Sequence, residues 1–168
     1  MIRYIAMALF VGAMAFNVGC ASKKKEVGVG DVEADPSIAT RDMSFDPMGS
    51  DSGEIEGLST VNFGFDNSSL STEARRLLAQ NAEWMRANPQ VTVQIEGHCD
   101  DRGSIEYNLA LGERRAQSAK NYLVSLGVPD NRLTIISYGK ERPLVAQAQN
   151  EADHSRNRRA NFVPIPVR

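Results

Sequence analysis

Apolar and polar residues alternate in short segments of the chain, and each such segment predicts a β-strand. The alternation covers residues 61–65, 91–96 and 133–138, and a fourth segment runs over 161–165. Pro164 lies within the last segment and Pro166 directly after it. Because proline cannot donate a ladder hydrogen bond, these two residues favour a position at the sheet edge.

Two longer segments place apolar residues three or four positions apart, which predicts amphipathic helices. The first begins at Ser71, a good N-cap, and ends at Asn88-Pro89. The second ends at Gly127 and carries one stripe of apolar and small residues: Leu109, Gly112, Ala116, Ala119, Leu123 and Leu126. Its small residues predict a close approach to a sheet. A short third helix is expected near residues 151–158.

The predicted order of elements is βαβαβ(α)β, with long helices between the first three strands. Helical connections of this kind predict a mixed sheet with helices packed on it. The predicted fold class is therefore α+β, with one folded domain over residues 58–168.

Residues 1–19 have the pattern of a signal peptide. Arg3 precedes an apolar run over residues 5–16, which is shorter than the ~20 residues that a membrane-spanning helix needs. Cys20 follows Gly19 at the end of this run, and this arrangement resembles the acylation site of bacterial lipoproteins. Asn17 and the lysines at 23–25 depart from that pattern, so an ordinary signal peptide or an uncleaved anchor stays an alternative.

Charge is distributed unevenly along the chain. The whole chain has a net charge of −2, whereas residues 21–57 alone carry −5 and are poor in large apolar side chains. Such a segment cannot bury enough apolar surface to offset its ordering entropy. Residues 20–57 are therefore predicted to be a lipidated, disordered linker. The nearly neutral domain contains no basic tract, which argues against nucleic-acid binding.

Residues 96–116 contain the most informative chemistry. Asp100 and Asp101 lie in a loop bounded by glycines, and Arg114 and Arg115 follow on the second helix. A carboxylate binds an ammonium group, and a guanidinium binds a carboxylate through paired hydrogen bonds. One group of each kind on the same surface would bind a zwitterion.

Helical phase selects one flank of the second helix. Asn108, Leu111 and Arg115 are spaced i, i+3, i+7 and share a face that can meet the loop. Arg114 points about 100° away from Arg115 and is expected to be structural or to face solvent.

Five motifs resemble the OmpA-like C-terminal domain family, and within it the peptidoglycan-associated lipoproteins. They are VNFGFD, GHCDDRGSIEYN, LGERRA, SYGKERP and SRNRRA, and the resemblance covers about residues 61–163. In the family pattern the loop aspartate falls on Asp100, and the helix asparagine and arginine fall on Asn108 and Arg115. The Phe-Asp pair falls on Phe65 and Asp66.

The resemblance implies noncovalent binding of peptidoglycan through the meso-diaminopimelate of its stem peptide. Asp100 would hold the ammonium group and Arg115 the carboxylate, and Arg158 is a further candidate near the site. The resemblance also implies an outer-membrane location facing the periplasm, with a lipid on Cys20, and a TolB-like β-propeller partner in the Tol-Pal system of cell division. No cofactor, metal or catalytic residue is predicted.

Each candidate residue also has a purely structural alternative. Asp100 would cap a turn, Arg115 would form an internal salt bridge, and Asp66 would stabilise an Asx-turn. Phe65 would belong to the core, and Arg158 would pair with a carboxylate.

A metal site or an enzyme is the competing class of function. His98 has no second histidine or cysteine at a zinc-binding spacing, and its side chain is expected to brace the loop by hydrogen bonds. Cys99 is either a small packed side chain or an oxidisable thiol, and the adjacent aspartates disfavour its thiolate. A domain of the same family serving another envelope machine, such as a motility stator, is a third possibility.

Overall fold

A four-stranded mixed sheet with helices packed on it forms the folded part of the chain. The computed structural model describes residues 48–166, so the predicted signal peptide, Cys20 and the linker up to residue 47 lie outside the described residues. The elements are β1 (Val61–Asn62), α1 (Thr72–Ala87), β2 (Val91–His98), α2 (Ile105–Ser125), β3 (Leu133–Gly139), α3 (Glu151–Asn157) and β4 (Arg159–Pro166).

The strand order is β1-β4-β2-β3. Strands β2 and β3 are parallel, whereas β4 is antiparallel to both of its neighbours. The predicted α+β class with a mixed sheet is therefore confirmed. In the part of the chain that the structure covers, no helix is long and apolar enough to cross a membrane.

The first long helix begins where the sequence predicts an N-cap, and the second begins at an N-cap, Ser104, that was not predicted. The hydroxyl of Ser71 accepts a hydrogen bond from the amide of Ala74, and the hydroxyl of Ser104 accepts one from the amide of Tyr107. The apolar face of α1 then packs into the core, which also contains side chains from all four strands and α2. These caps fix the loops that precede each helix.

Helix α2 lies unusually close to the sheet at Gly112. A Cβ atom on Gly97 of β2 would clash with the carbonyl oxygen of Gly112, so only glycine fits there. The predicted close approach is confirmed, but one member of the predicted stripe is wrong. Leu109 is exposed, and the buried residues of the first turns are Asn108, Leu111, Gly112 and Arg115. A polar pocket, not the apolar core, faces this end of the helix.

The prediction that its prolines place the last strand at the sheet edge is wrong. Strand β4 lies between β1 and β2. The amide of Phe162 donates to the hydroxyl of Ser50 and so points away from β2. Backbone amides of a strand point to the same side at every second residue, so the nitrogen of Pro164 also points away from β2. On that side β1 is only two residues long and does not extend as far as Pro164. Proline therefore costs the sheet no hydrogen bond.

The predicted linker extends too far into the domain. Residues 49–52 form a short 3-10 turn that packs on β4, and Ser50 is buried. We call residues 48–53 the N-terminal strap. It is held mainly by hydrogen bonds to Asn161 and by an ion pair of Asp51 with Arg159. Its polar composition hides this docking from a hydrophobicity pattern.

We expect Asp51→Ala to lower the free energy of unfolding by about 3–5 kcal/mol, because it leaves the guanidinium of Arg159 buried without its carboxylate. Both side chains of this pair are completely buried, at 2.7 Å from Nε to Oδ2. Urea denaturation measures the effect. Glu73→Ala is the control, since its pair with Arg76 is exposed and its loss should leave the midpoint nearly unchanged. Equal midpoints for both variants would contradict the docking of the strap.

Candidate functional site

A pocket of about 160 Å³ lies where the loop after β1, the loop after β2 and the first turns of α2 meet. All seven residues predicted from the sequence line it. The complete lining consists of Phe65, Asp66, Cys99, Asp100, Arg102, Gly103, Tyr107, Asn108, Leu111, Arg115 and Arg158. The fold thus brings together residues that lie up to 93 positions apart in the sequence.

Arg115 forms the floor of the pocket and is completely buried. Its Nε donates to the carbonyl oxygen of Asn67 at 2.9 Å, and its Nη2 donates to that of Gly64 at 3.0 Å. Its Nη1 donates to the carbonyl oxygen of His98 at 2.8 Å and to Sγ of Cys99 at 3.3 Å. These bonds use four of the five N–H groups of the guanidinium.

The predicted alternative of an internal salt bridge does not describe Arg115. Within residues 48–166, its hydrogen bonds go to main-chain carbonyls and a thiol, and none goes to a carboxylate. Burial lowers the pKa of Arg115, and the nearby carboxylates of Asp100 and Asp66 partly offset this. The guanidinium stays charged in the pH range of proteins, so the floor of the pocket carries a positive charge.

Asp100 is buried beside this floor and is already paired. Its Oδ2 accepts hydrogen bonds from Nε and Nη2 of Arg102, and from Nη1 of Arg158 at 3.1 Å. Burial raises the pKa of Asp100, but the bonds from Arg102 and Arg158 outweigh it and hold the pKa below its usual value. The pairing is therefore complete above the ordinary aspartate pKa of about 3.9 and is lost only as the pH falls through the lowered pKa.

Asn108 and Arg158 hold the loop around Asp100 in place. The amide Nδ2 of Asn108 donates to the carbonyl oxygens of Arg102 and Ser104, at 2.8 and 2.9 Å. Arg158 donates to the carbonyl oxygen of Phe63 at 3.1 Å and to Glu151 at 2.6 Å. The two expectations for Arg158, a place at the pocket and a carboxylate partner, therefore hold together.

The mouth of the pocket is formed by more exposed groups. Phe65 is 60% exposed and so is not a core residue. The guanidinium carbon of Arg102 lies 4.1 Å from the centre of its ring. Asp66 has a positive φ of 50° and accepts a hydrogen bond from the hydroxyl of Tyr107. The pocket thus has a buried charged floor beneath an accessible mouth with both signs of charge.

Two mouth residues, Arg102 and Tyr107, were not predicted from the sequence. Both lie within the motif GHCDDRGSIEYN, so the motif contained them. Charge pairing gave no reason to choose Arg102 over Arg114, since the choice depends on how the loop folds back on Asp100. Tyr107 follows from the i, i+4 relation to Leu111 only once the face of the helix is known.

His98 and Cys99 lie next to each other but face different surroundings. The prediction that the His98 side chain braces the loop by hydrogen bonds is wrong. Both ring nitrogens are buried and make no hydrogen bond within the described residues, and Nε2 lies 3.6 Å from Oε2 of Glu96, which belongs to β2 and not to the loop. The ring stacks on Tyr138, with centroids 5.6 Å apart. Cys99 instead lines the pocket, and burial raises the pKa of its thiol.

The described residues contain no cluster of three or more histidine, cysteine or acidic side chains able to hold a metal ion. Cys99 donates to the main chain of Asn108 at 3.3 Å, and the ring of His98 is not part of the pocket lining. A buried, protonated thiol that donates to a main-chain carbonyl group is poorly suited to nucleophilic attack. The arrangement is suited to holding a charged ligand.

Comparisons with known proteins identify the family of this chain. A family model described as the OmpA family matches residues 62–158. The peptidoglycan-associated lipoprotein of Brucella melitensis is 41% identical over 157 residues, which cover 93% of this chain and 88% of that protein.

Solved structures of similar proteins share the fold. The crystal structure of the peptidoglycan-associated lipoprotein from Burkholderia pseudomallei matches with a TM-score of 0.60 and 42% identity, covering 63% of this chain and 89% of that one. The C-terminal domain of MotB from Helicobacter pylori matches with a TM-score of 0.60, covering 66% of this chain and 87% of that one. Its 19% identity shows the shared fold alone.

We expect the thiol of Cys99 to react with iodoacetamide at pH 7.5 more than about tenfold more slowly in the folded chain than in the unfolded chain. Its raised pKa and its burial leave little accessible thiolate. The Cys20→Ser chain isolates this thiol. The rate is followed by mass spectrometry in buffer and in urea at the same pH. Similar rates in the two conditions would contradict the buried, protonated state.

Proposed function

Because this chain belongs to the OmpA family, and is similar over most of its length to peptidoglycan-associated lipoproteins, we propose that its pocket binds peptidoglycan noncovalently. The observation that supports this most directly is the guanidinium of Arg115. Its charge lies at the floor of the pocket without a hydrogen-bonded carboxylate among residues 48–166. A carboxylate supplied by a ligand would complete the site.

The balance of charge in the lining favours a ligand with at least one carboxylate. Three guanidinium groups, of Arg102, Arg115 and Arg158, face two carboxylates, of Asp66 and Asp100. A ligand with an ammonium group and a carboxylate on one carbon matches both signs of charge within a small volume. Meso-diaminopimelate ends its side chain in this way, whereas lysine carries the ammonium group alone.

Binding would proceed by exchange of existing ion pairs. The ammonium group of the ligand takes the place of Arg102 at Asp100, with Asp66 at the mouth as a second acceptor. The released guanidinium of Arg102, whose side chain is 38% exposed, turns to the ligand carboxylate. Arg115 contributes its charge from the floor and holds the surrounding carbonyl groups in position, because four of its five N–H groups are already used.

The remainder of the proposal concerns location and partners. Acylation of Cys20 would anchor the chain in the outer membrane, and the linker would let the domain reach the cell wall. Twenty-seven residues, 21–47, reach about 90 Å when extended. The protein would thus tether the outer membrane to peptidoglycan, with a TolB-like β-propeller as partner in the Tol-Pal system of cell division. We propose that it is not an enzyme.

We expect the Cys20→Ser chain to bind a muramyl peptide containing meso-diaminopimelate, and to bind the lysine-containing peptide at least about tenfold more weakly, since one charge-assisted contact contributes about 1.5–3 kcal/mol. Asp100→Asn should weaken binding of the first peptide by a similar factor, because it removes the negative charge that receives the ammonium group. Isothermal titration calorimetry measures both.

The neighbouring residue provides a matched control. Asp101→Asn changes the same type of side chain one position along, but the Asp101 side chain is 60% exposed and its Oδ1 lies 3.1 Å from Nδ1 of His154, outside the pocket. The affinity of the Asp101→Asn variant for the peptide should stay within about twofold of that of the Cys20→Ser parent chain. Equal affinities for the Asp100 and Asp101 variants would overturn the site assignment, provided that both have the circular dichroism of the folded domain.

We expect Cys20→Ser to move the protein from the membrane fraction to the soluble periplasmic fraction, because the acyl chains that hold it would be missing. Cys99→Ser is the control and should stay with the membrane, since its thiol is buried in the domain. Immunoblots of fractionated cells measure the distribution. A Cys20→Ser chain that remains in the membrane fraction would contradict lipidation at this residue.

A further inference from the structure

The N-terminal strap docks on the face of the sheet opposite the pocket. The main-chain oxygen of Met48 and the hydroxyl of Ser50 bond the two ends of the Asn161 amide, both at 2.9 Å. The amide of Asp51 also donates to Asn161, at 3.0 Å, and the amide of Phe162 donates to Ser50 at 3.0 Å. The strap therefore provides hydrogen-bond partners for β4 at Asn161 and Phe162, beyond the two residues of β4 that pair with β1.

The ion pair of the strap fixes the first residue of β4. Nε of Arg159 lies 2.7 Å from Oδ2 of Asp51, and the hydroxyl of Thr60 donates to the other oxygen of Asp51 at 2.8 Å. The guanidinium of Arg159 also donates to the carbonyl oxygens of Asn157 and Arg142. A buried guanidinium with these partners has little freedom to move.

Arg158 and Arg159 connect the two faces of the sheet. They are consecutive, and their side chains point in opposite directions, as neighbours at the start of a strand do. Arg159 reaches the strap, whereas Arg158 reaches Asp100 in the pocket at 3.1 Å. The same peptide unit thus carries one anchor of the strap and one anchor of the pocket.

A second connection runs through the short strand β1. Thr60 contacts both Ser50 and Asp51 of the strap, and β1 starts at the next residue. The chain then continues to Gly64, whose carbonyl oxygen accepts from Arg115, and to Phe65 at the pocket mouth. Both routes start at the strap and end at charged groups of the pocket.

We propose that the N-terminal strap is a positioning element for the pocket, so that docking of the strap and occupation of the pocket stabilise each other. This inference rests on the proposed binding of the stem peptide. Such coupling is reciprocal. Undocking of the strap therefore lowers the affinity of the pocket for the ligand by the same factor by which the bound ligand raises the equilibrium constant for docking. Asp51 is the positioning residue, and it acts through Arg159 and Arg158.

Two glycines of the strap provide a variant and its matched control. Gly49 and Gly53 both have positive φ, at 64° and 69°, so alanine strains the backbone equally at each. A Cβ atom at Gly49 would clash with the carbonyl oxygen of Phe162, whereas at Gly53 it meets nothing within 4 Å. Gly49→Ala therefore lifts the strap from β4, and Gly53→Ala leaves it docked. Neither residue touches the pocket.

The test uses the Cys20→Ser chain and the muramyl peptide containing meso-diaminopimelate. We expect Gly49→Ala to lower the affinity for the peptide by about fivefold or more. Gly53→Ala should change this affinity by less than twofold. Equal affinities of both variants and the parent chain overturn the coupling alone. Failure of the parent chain to bind overturns the proposed function, and the coupling with it.

Hydrogen exchange of the unmodified strap gives a second measurement that needs no variant. The amides of Asp51 and Phe162 bond across the strap interface and exchange when the strap lifts. Saturating peptide should slow their exchange, up to the factor by which Gly49→Ala weakens binding. A strap that only adds stability would show no such protection, and unchanged exchange at these amides overturns the proposal.

Discussion

The pocket depends on one requirement, that a completely buried guanidinium must find acceptors for its N–H groups. Arg115 meets it with the carbonyl oxygens of Gly64, Asn67 and His98, which belong to the chain after β1 and to the end of β2. An unpaired buried polar group costs about 1–3 kcal/mol, and a charged group costs more. The two segments are therefore held against α2 wherever the guanidinium stays buried. The walls of the pocket and its positive floor have the same cause.

The other charged groups are organised in pairs around this floor. Asp100 joins Arg102 and Arg158 on the pocket side, and Asp51 joins Arg159 on the opposite face of the sheet. Breaking one buried pair leaves the other partner desolvated, at a cost of about 3–5 kcal/mol. This makes the arrangement of charges stiff, although each pair contributes little net stability compared with an apolar contact. Stiffness is what a binding site for a small charged group requires.

The sequence predicted the helices, the strands and the mixed sheet, because these follow from periodicity and capping. It also predicted the helix flank of Asn108, Leu111 and Arg115, because their spacing fixes one face. It did not predict the docking of Ser50 and Asp51, since polar side chains that dock by hydrogen bonds resemble those of a disordered segment. The neighbours of β4 depended on the length of β1, and hydropathy does not specify where pairing stops.

The residues at the pocket also show why charge counting alone was insufficient. The segment 96–116 contains two aspartates and three arginines, and of these Asp100, Arg102 and Arg115 line the pocket, whereas Asp101 and Arg114 do not. Arg102 lines the pocket because Gly103, with φ of 91°, turns the loop back toward Asp100. That turn places a third guanidinium over Phe65 and next to the buried carboxylate. The tertiary structure, and not the composition of the segment, therefore determines the net charge of the groups that line the pocket.

The pairing of Asp100 before any ligand arrives has a consequence for affinity. A free buried carboxylate would gain the whole energy of a new ion pair, but here the incoming ammonium group replaces a guanidinium that is already bonded. The net gain is the difference between two charge-assisted contacts, each about 1.5–3 kcal/mol, plus the new contact of the ligand carboxylate with the excess positive charge. In the proposed binding mode, the site would discriminate strongly between ligands that do and do not carry that carboxylate, while its affinity for either would stay moderate. Selective but reversible binding of this kind is suited to the proposed role of a noncovalent peptidoglycan tether.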